Sequence, residues 1–130
     1  MKVKSKITKY PGGNKKTEIY KDDDTLVTKY FYNTKDAYVK ELSSLKDGIE
    51  KVKYFTEKGV TSKLAYFLDG KRDGVETKYF ISKANASIKS TKSYKNGKLH
   101  GEKITYNENG EVIKCEVFND GKLVNNTIMD

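Results

Sequence analysis

The chain has 130 residues, 34% of them charged and 35% apolar, with 26 basic against 18 acidic side chains and a formal net charge of +8. That is the length of one domain, without an apolar run long enough for a membrane helix or a hydrophobic stretch behind the first lysines for a secretory signal, so a cytoplasmic protein is expected. One cysteine, one histidine and no tryptophan exclude an internal disulfide and most metal, acid–base and nucleophilic constellations, so a non-enzymatic protein without cofactor, metal or catalytic residues is expected.

Alternating residues bounded by Gly, Asn and Asp predict strands near 2–9, 16–21 and 26–32. Asp22, Asp23 and Asp24 read as a solvated hairpin, because a calcium loop would need a glycine and a distal glutamate. The next segment breaks the rhythm. Tyr38, Val39, Leu42 and Leu45 fall at helical spacing, Thr34 or Asp36 can cap the start and Gly48 can close the end, so a short helix is expected near residues 35–46. The competing reading is another degenerate hairpin, with Ser44 to Gly48 aligned on Tyr106 to Gly110. Strands resume near 49–55, 61–68, 75–81, 87–95, 102–107 and 111–118.

The C-terminal half reuses one phrase, an aromatic residue, two polar residues and Gly. Tyr94-Lys95-Asn96-Gly97-Lys98-Leu99-His100-Gly101-Glu102 matches Phe67-Leu68-Asp69-Gly70-Lys71-Arg72-Asp73-Gly74-Val75-Glu76, and Phe118-Asn119-Asp120-Gly121-Lys122-Leu123 begins a third copy. A second punctuation, Tyr106-Asn107-Glu108-Asn109-Gly110, falls between copies. Asn-Gly and Asp-Gly tolerate the left-handed backbone of tight hairpins, so each unit is a strand, a turn, a strand and another turn. Echoes weaken toward the N-terminus, giving clear repeats over 67–123 and degenerate ones over 1–66. Units of this kind bury a face only against neighbours, so residues 1–130 are expected to form one domain, an elongated, twisted antiparallel β-meander.

The phrase Tyr-x-x-Gly-Lys-Leu-x-Gly-Glu followed by Tyr-x-x-x-Gly resembles the variant MORN repeat of bacterial proteins, as in the YwqK-like antitoxin family. The resemblance implies a twisted antiparallel ribbon and, for the antitoxin members, neutralisation of a toxin enzyme by binding it. Two features depart from the pattern: Phe80 to Ala86 has no turn glycine, and the first half has no complete copy.

Four adjacent pairs, Tyr30-Phe31, Tyr54-Phe55, Tyr66-Phe67 and Tyr79-Phe80, suggest where a partner sits. Strand neighbours point to opposite faces, so the tyrosines are expected on an apolar side with Leu26, Val52, Leu64, Leu68, Val75 and Ile81. Phe31, Phe55, Phe67 and Phe80 are then expected on the other, among Lys53, Lys63 and Lys78. Either the helix covers this row or the row is open as a binding platform; Phe31 and Phe55 are expected under the helix, and Phe67 and Phe80 accessible. The basic excess is lysine apart from Arg72, which disfavours base-specific nucleic acid recognition, since lysine lacks the bidentate fork of arginine. Pairing Cys115 with His100 as a nucleophile would leave the pair without an orienting third group.

The first functional expectation is a protein-binding inhibitor of antitoxin or immunity type that docks a sheet face or edge onto an acidic-surfaced bacterial enzyme or toxin. The alternative is a phage-encoded anti-defence, anti-CRISPR-like inhibitor acting on a nuclease or its guide nucleic acid through lysines. A membrane partner is not expected, and the sequence leaves the oligomeric state open.

Overall fold

The computed structural model describes residues 2–81 and 87–128, with side chains from residue 5 onward. Among these described residues, twelve strands form one antiparallel meander: β1 Lys2–Lys9, β2 Lys15–Asp22, β3 Thr25–Phe31, β4 Val39–Lys46, β5 Ile49–Phe55, β6 Thr61–Leu68, β7 Lys71–Arg72, β8 Gly74–Tyr79, β9 Ile88–Lys95, β10 Lys98–Tyr106, β11 Val112–Asn119 and β12 Lys122–Ile128. Each strand pairs with its neighbours in chain order, β7 and β8 both lying against β6, and among the described residues β1 and β12 are the outermost strands. No helix among the described residues is long and apolar enough to cross a membrane.

The two ends of the sheet are built from different turns. At one end, Asp47-Gly48, Asp69-Gly70, Asn96-Gly97 and Asp120-Gly121 make two-residue connections with both residues at positive φ, the geometry that matches the right-handed twist of the flanking strands. At the other end the connections are longer. In one of them, Asn107 Oδ1 accepts from the backbone N–H groups of Asn109 and Glu111 at 2.9 and 3.0 Å, an Asx turn.

The helix expected near residues 35–46 does not form: this stretch is β4, preceded by a turn through Ala37 at φ 53°. Gly48, which suited a helix C-terminus, serves instead with Asp47 as a hairpin turn. Lys29 faces Leu42, Leu26 faces Leu45, and Leu42 in turn faces Lys53. Glu41 to Leu45 pair on both sides, with β3 and with β5, and that non-local gain overrides a helical spacing of apolar side chains. Two further strands beyond those expected, β7 and β12, follow the two-residue turns of the repeat phrase. The stretch lacking a turn glycine between Phe80 and Ala86 lies mostly outside the described residues.

Following the register across the ladders defines two faces. One, called the Phe31 face, carries Val27, Phe31, Leu42, Leu64, Tyr66 and Leu68; the other, the Val52 face, carries Ser43, Val52, Ala65 and Glu76. Val27 and Phe31 are buried on the first, Val52 and Ala65 on the second. The core is therefore thin and two-sided, and long side chains laid over their cross-strand neighbours do the work of a second layer.

Candidate partner-binding face

The expected phenylalanine row is divided between the faces. Phe31, Phe55 and Lys53 lie on the Phe31 face, where the Lys53 ammonium sits 5.7 Å from the Phe55 ring centre. Phe67, Lys63 and Lys78 lie on the Val52 face, Lys63 directly opposite both Tyr54 and Lys78. The division follows from register: β5 sets Tyr54 against Lys63 and Tyr66 against Lys51, so the Tyr-Phe order inverts its facing between β5 and β6. Alternation within a strand says nothing about the strand beside it. Phe80 lies just beyond β8, its N–H donating to the Ser87 carbonyl at 2.9 Å. With no helix above it, Phe31 is still only 5% exposed, its ring lying under the Lys15 ammonium at 5.2 Å.

The Val52 face carries a charge ladder. Glu76 stands opposite Lys92, Lys92 opposite Lys103, and Lys103 opposite Glu116. Lys103 and Lys114 approach the Glu116 carboxylate at 3.9 and 3.6 Å. Arg72 Nε is 3.5 Å from Glu76 Oε2, an ion-pair contact whose alignment leaves that oxygen without a hydrogen bond. Burial, then repulsion from Lys78 and Lys103, lowers the pKa of Lys92. Each lysine of the central pair is balanced by a glutamate, so these charges chiefly hold strands together.

The Phe31 face is different. Ile49, Tyr66, Leu68 and Val75, with Phe67, Asp73 and Gly74, line an apolar groove of about 380 Å³. Ile49, Leu68 and Val75 remain 54%, 42% and 45% exposed. Next to it, Lys71, Lys95, Asn96, Lys98, His100 and Asp120 line a polar pocket of about 490 Å³. The two adjoin through the ladder, because Lys71 pairs with Leu68 across β6 and β7, while Lys95 shares the facing of Ser93, the partner of Val75. Lys95 and Lys98 stand directly opposite each other. Among the described residues, Lys71, Lys95 and Lys98 have no ion-pair partner. The Asp120 N–H donates to His100 Nδ1 at 3.3 Å, which puts the proton of a neutral ring on Nε2. The groove escaped the sequence reading because Ile49 and Val75 are brought together only by pairing. The signal for the lysines was legible: each two-residue turn glycine of the repeat phrase is followed by lysine, at 71, 98 and 122.

Cys115 faces Ile104, and its thiol donates to Glu102 Oε2 at 3.6 Å. Burial and that carboxylate raise its pKa, which disfavours the reactive thiolate. Among the described residues, no three His, Cys, Asp or Glu side chains are grouped so as to hold a metal ion.

Neither a family model nor a curated protein matches this sequence. Among solved structures the chain is similar to TarM, with a TM-score of 0.55 and 15% identity over 85% of this chain and 21% of that one. The chain thus spans about a fifth of TarM, and at that identity the likeness concerns the fold alone.

Proposed function

We propose that this chain is a non-catalytic inhibitor of antitoxin or immunity type, built from variant-MORN-like repeats, which acts in the cytoplasm by docking its Phe31 face onto an acidic surface of a partner enzyme. The observation that supports this reading is the adjacency, on one uncovered face, of the Ile49, Leu68 and Val75 groove and the uncompensated lysines 71, 95 and 98. An apolar centre beside a charged margin is the arrangement that gives a protein interface both affinity and orientation. Each of the three apolar side chains would contribute roughly 1.5 to 3 kcal/mol on full burial. The lysines would speed encounter with an acidic surface in a salt-dependent way.

The same unpaired lysines support the second reading, an anti-defence inhibitor acting on a nuclease or its guide nucleic acid. Affinity purification from the native host, with and without nuclease treatment and followed by mass spectrometry, separates the two. A stoichiometric acidic protein retained after nuclease is the expected result. Release of the partner by nuclease would favour the second reading, and a background equal to that of Val75→Asp would defeat both.

A further inference from the structure

The two edges of the sheet are unlike each other. Four of the eight residues of β1 are lysine, and its pairing with β2 contains two register shifts. Lysines and bulges are what blunts an edge against further strands. β12 reads Lys122-Leu123-Val124-Asn125-Asn126-Thr127-Ile128, with no charge after its first residue. Among the described residues it pairs with β11 alone, and every one of its residues is exposed. Ile128 and Val124, at 70% and 61%, are the most exposed large apolar side chains described.

β12 is also self-complementary. Laid antiparallel against a copy of itself about Asn126, it sets Val124 opposite Ile128, Asn125 opposite Thr127, and Asn126 opposite its own copy. Apolar side chains meet apolar ones and amides meet hydroxyls, the cross-strand pairings that stabilise a sheet. The bulge at Val124 lies at the margin of this stretch, and the Asn126 N–H, which within the chain donates to Asn125 Oδ1 at 2.8 Å, exchanges that side-chain acceptor for a backbone carbonyl of the copy when the two strands pair. We propose that a second copy of this chain pairs along β12 about a two-fold axis at Asn126, continuing the sheet from one protomer into the next.

Charge selects this partner over the alternatives. A β1 edge against another β1 edge would oppose lysine with lysine, and a β1 edge against β12 would find no carboxylate among residues 122–128 to answer its lysines. A β1 to β12 contact is moreover head-to-tail and would propagate without closing, whereas pairing through β12 closes at two copies. One strand edge per protomer lies at the small end of interface sizes, so dissociation in the range of roughly 10 to 100 μM is expected.

The test is cross-linking in a Cys115→Ser background. Residues directly opposite in an antiparallel pair stand about 4.5 to 5.5 Å apart at Cα, within disulfide reach. Asn126→Cys should therefore form a covalent dimer under mild oxidation, while Leu123→Cys, which faces a different position of the copy, should stay monomeric. Sedimentation of the unmodified chain should show its mass doubling over that concentration range, and Val124→Lys with Ile128→Lys should abolish the doubling while circular dichroism confirms an unchanged fold. A mass independent of concentration, equal cross-linking at 123 and 126, or open-ended polymers would each overturn the proposal.

Discussion

The hydroxyl of Tyr32 donates to the carbonyl of Phe55 at 2.7 Å, 23 residues further along the chain. Tyr10 repeats the contact on Phe31 at 2.8 Å, across 21 residues. Each tyrosine sits where a strand enters a long turn and reaches the corresponding place in the next unit. The two bonds thus join alternate strands, β1 to β3 and β3 to β5, at the long-turn end of the sheet.

Removing one such bond should cost stability without altering the fold. Tyr32→Phe deletes only the donor, and a net loss of about 0.5 to 1.5 kcal/mol is expected. Urea denaturation with an unchanged slope is the measurement; a loss under about 0.2 kcal/mol would mean that water replaces the hydroxyl freely.

Gly101 lies at φ 104°, and a Cβ built on it would come 3.2 Å from Ser93 Cβ. Gly110, at φ 84°, has open space around it. Alanine is strained at both, since L-residues disfavour this region by about 1 to 2 kcal/mol. Gly101→Ala should be the more costly by roughly a further 1 kcal/mol, because β9 must also shift. Equal melting temperatures for the two variants would show that Ser93 gives way without penalty.

Groove and core should separate on the Phe31 face. Phe31→Ala removes a buried ring and should destabilise by about 3 to 5 kcal/mol. Val75→Asp and the pair Lys95→Glu with Lys98→Glu alter exposed side chains and should leave stability within about 0.5 kcal/mol, while abolishing capture of the partner. If Val75→Asp retains the partner in full, the groove is not its docking place.

Two groups should give opposite pH dependences near pH 10. Burial, followed by the Glu41 carboxylate, raises the phenol pKa of Tyr54 above its ordinary 10.0. The folded state then holds that proton longer, so the contribution of Tyr54 is present below the unfolded value and is lost as pH rises through the folded one. Lys92 is shifted below 10.5, so the unfolded state holds its proton longer and stability recovers as pH rises between the two values. Relative to the parent chain, Tyr54→Phe should therefore gain stability above pH 10 and Lys92→Met should lose it. Denaturation curves for the three proteins between pH 8.5 and 11 would reveal either sign reversed.

The meander was legible because its punctuation is local. Asn96-Gly97 and Asp120-Gly121 specify a turn by backbone conformation, and the strands between them alternate. Asp47-Gly48 carried the same signal, but Tyr38, Val39, Leu42 and Leu45 also satisfy a helical spacing. Only the presence of β3 and β5 on either side decides between the two. The phenylalanine row failed for a related reason: Phe55 and Phe67 sit identically within their own strands, yet the β5 to β6 register sends them to opposite faces. Facing across strands is a pairwise property of two segments, whereas composition and spacing describe one segment at a time.

The two-residue turns have a consequence for how such a chain changes in length over evolutionary time. Asp23, Asp47, Asp69, Asn96 and Asp120 recur at intervals of 24, 22, 27 and 24 residues, always at the same end of the sheet and each time after one outward and one returning pass of the chain, β7 and β8 together making one outward pass along β6. Duplication or loss of a stretch between two such points returns the chain to the same place travelling in the same direction, with every neighbouring pair still antiparallel. Strand number is then a freely adjustable quantity, because no closure of a core fixes it.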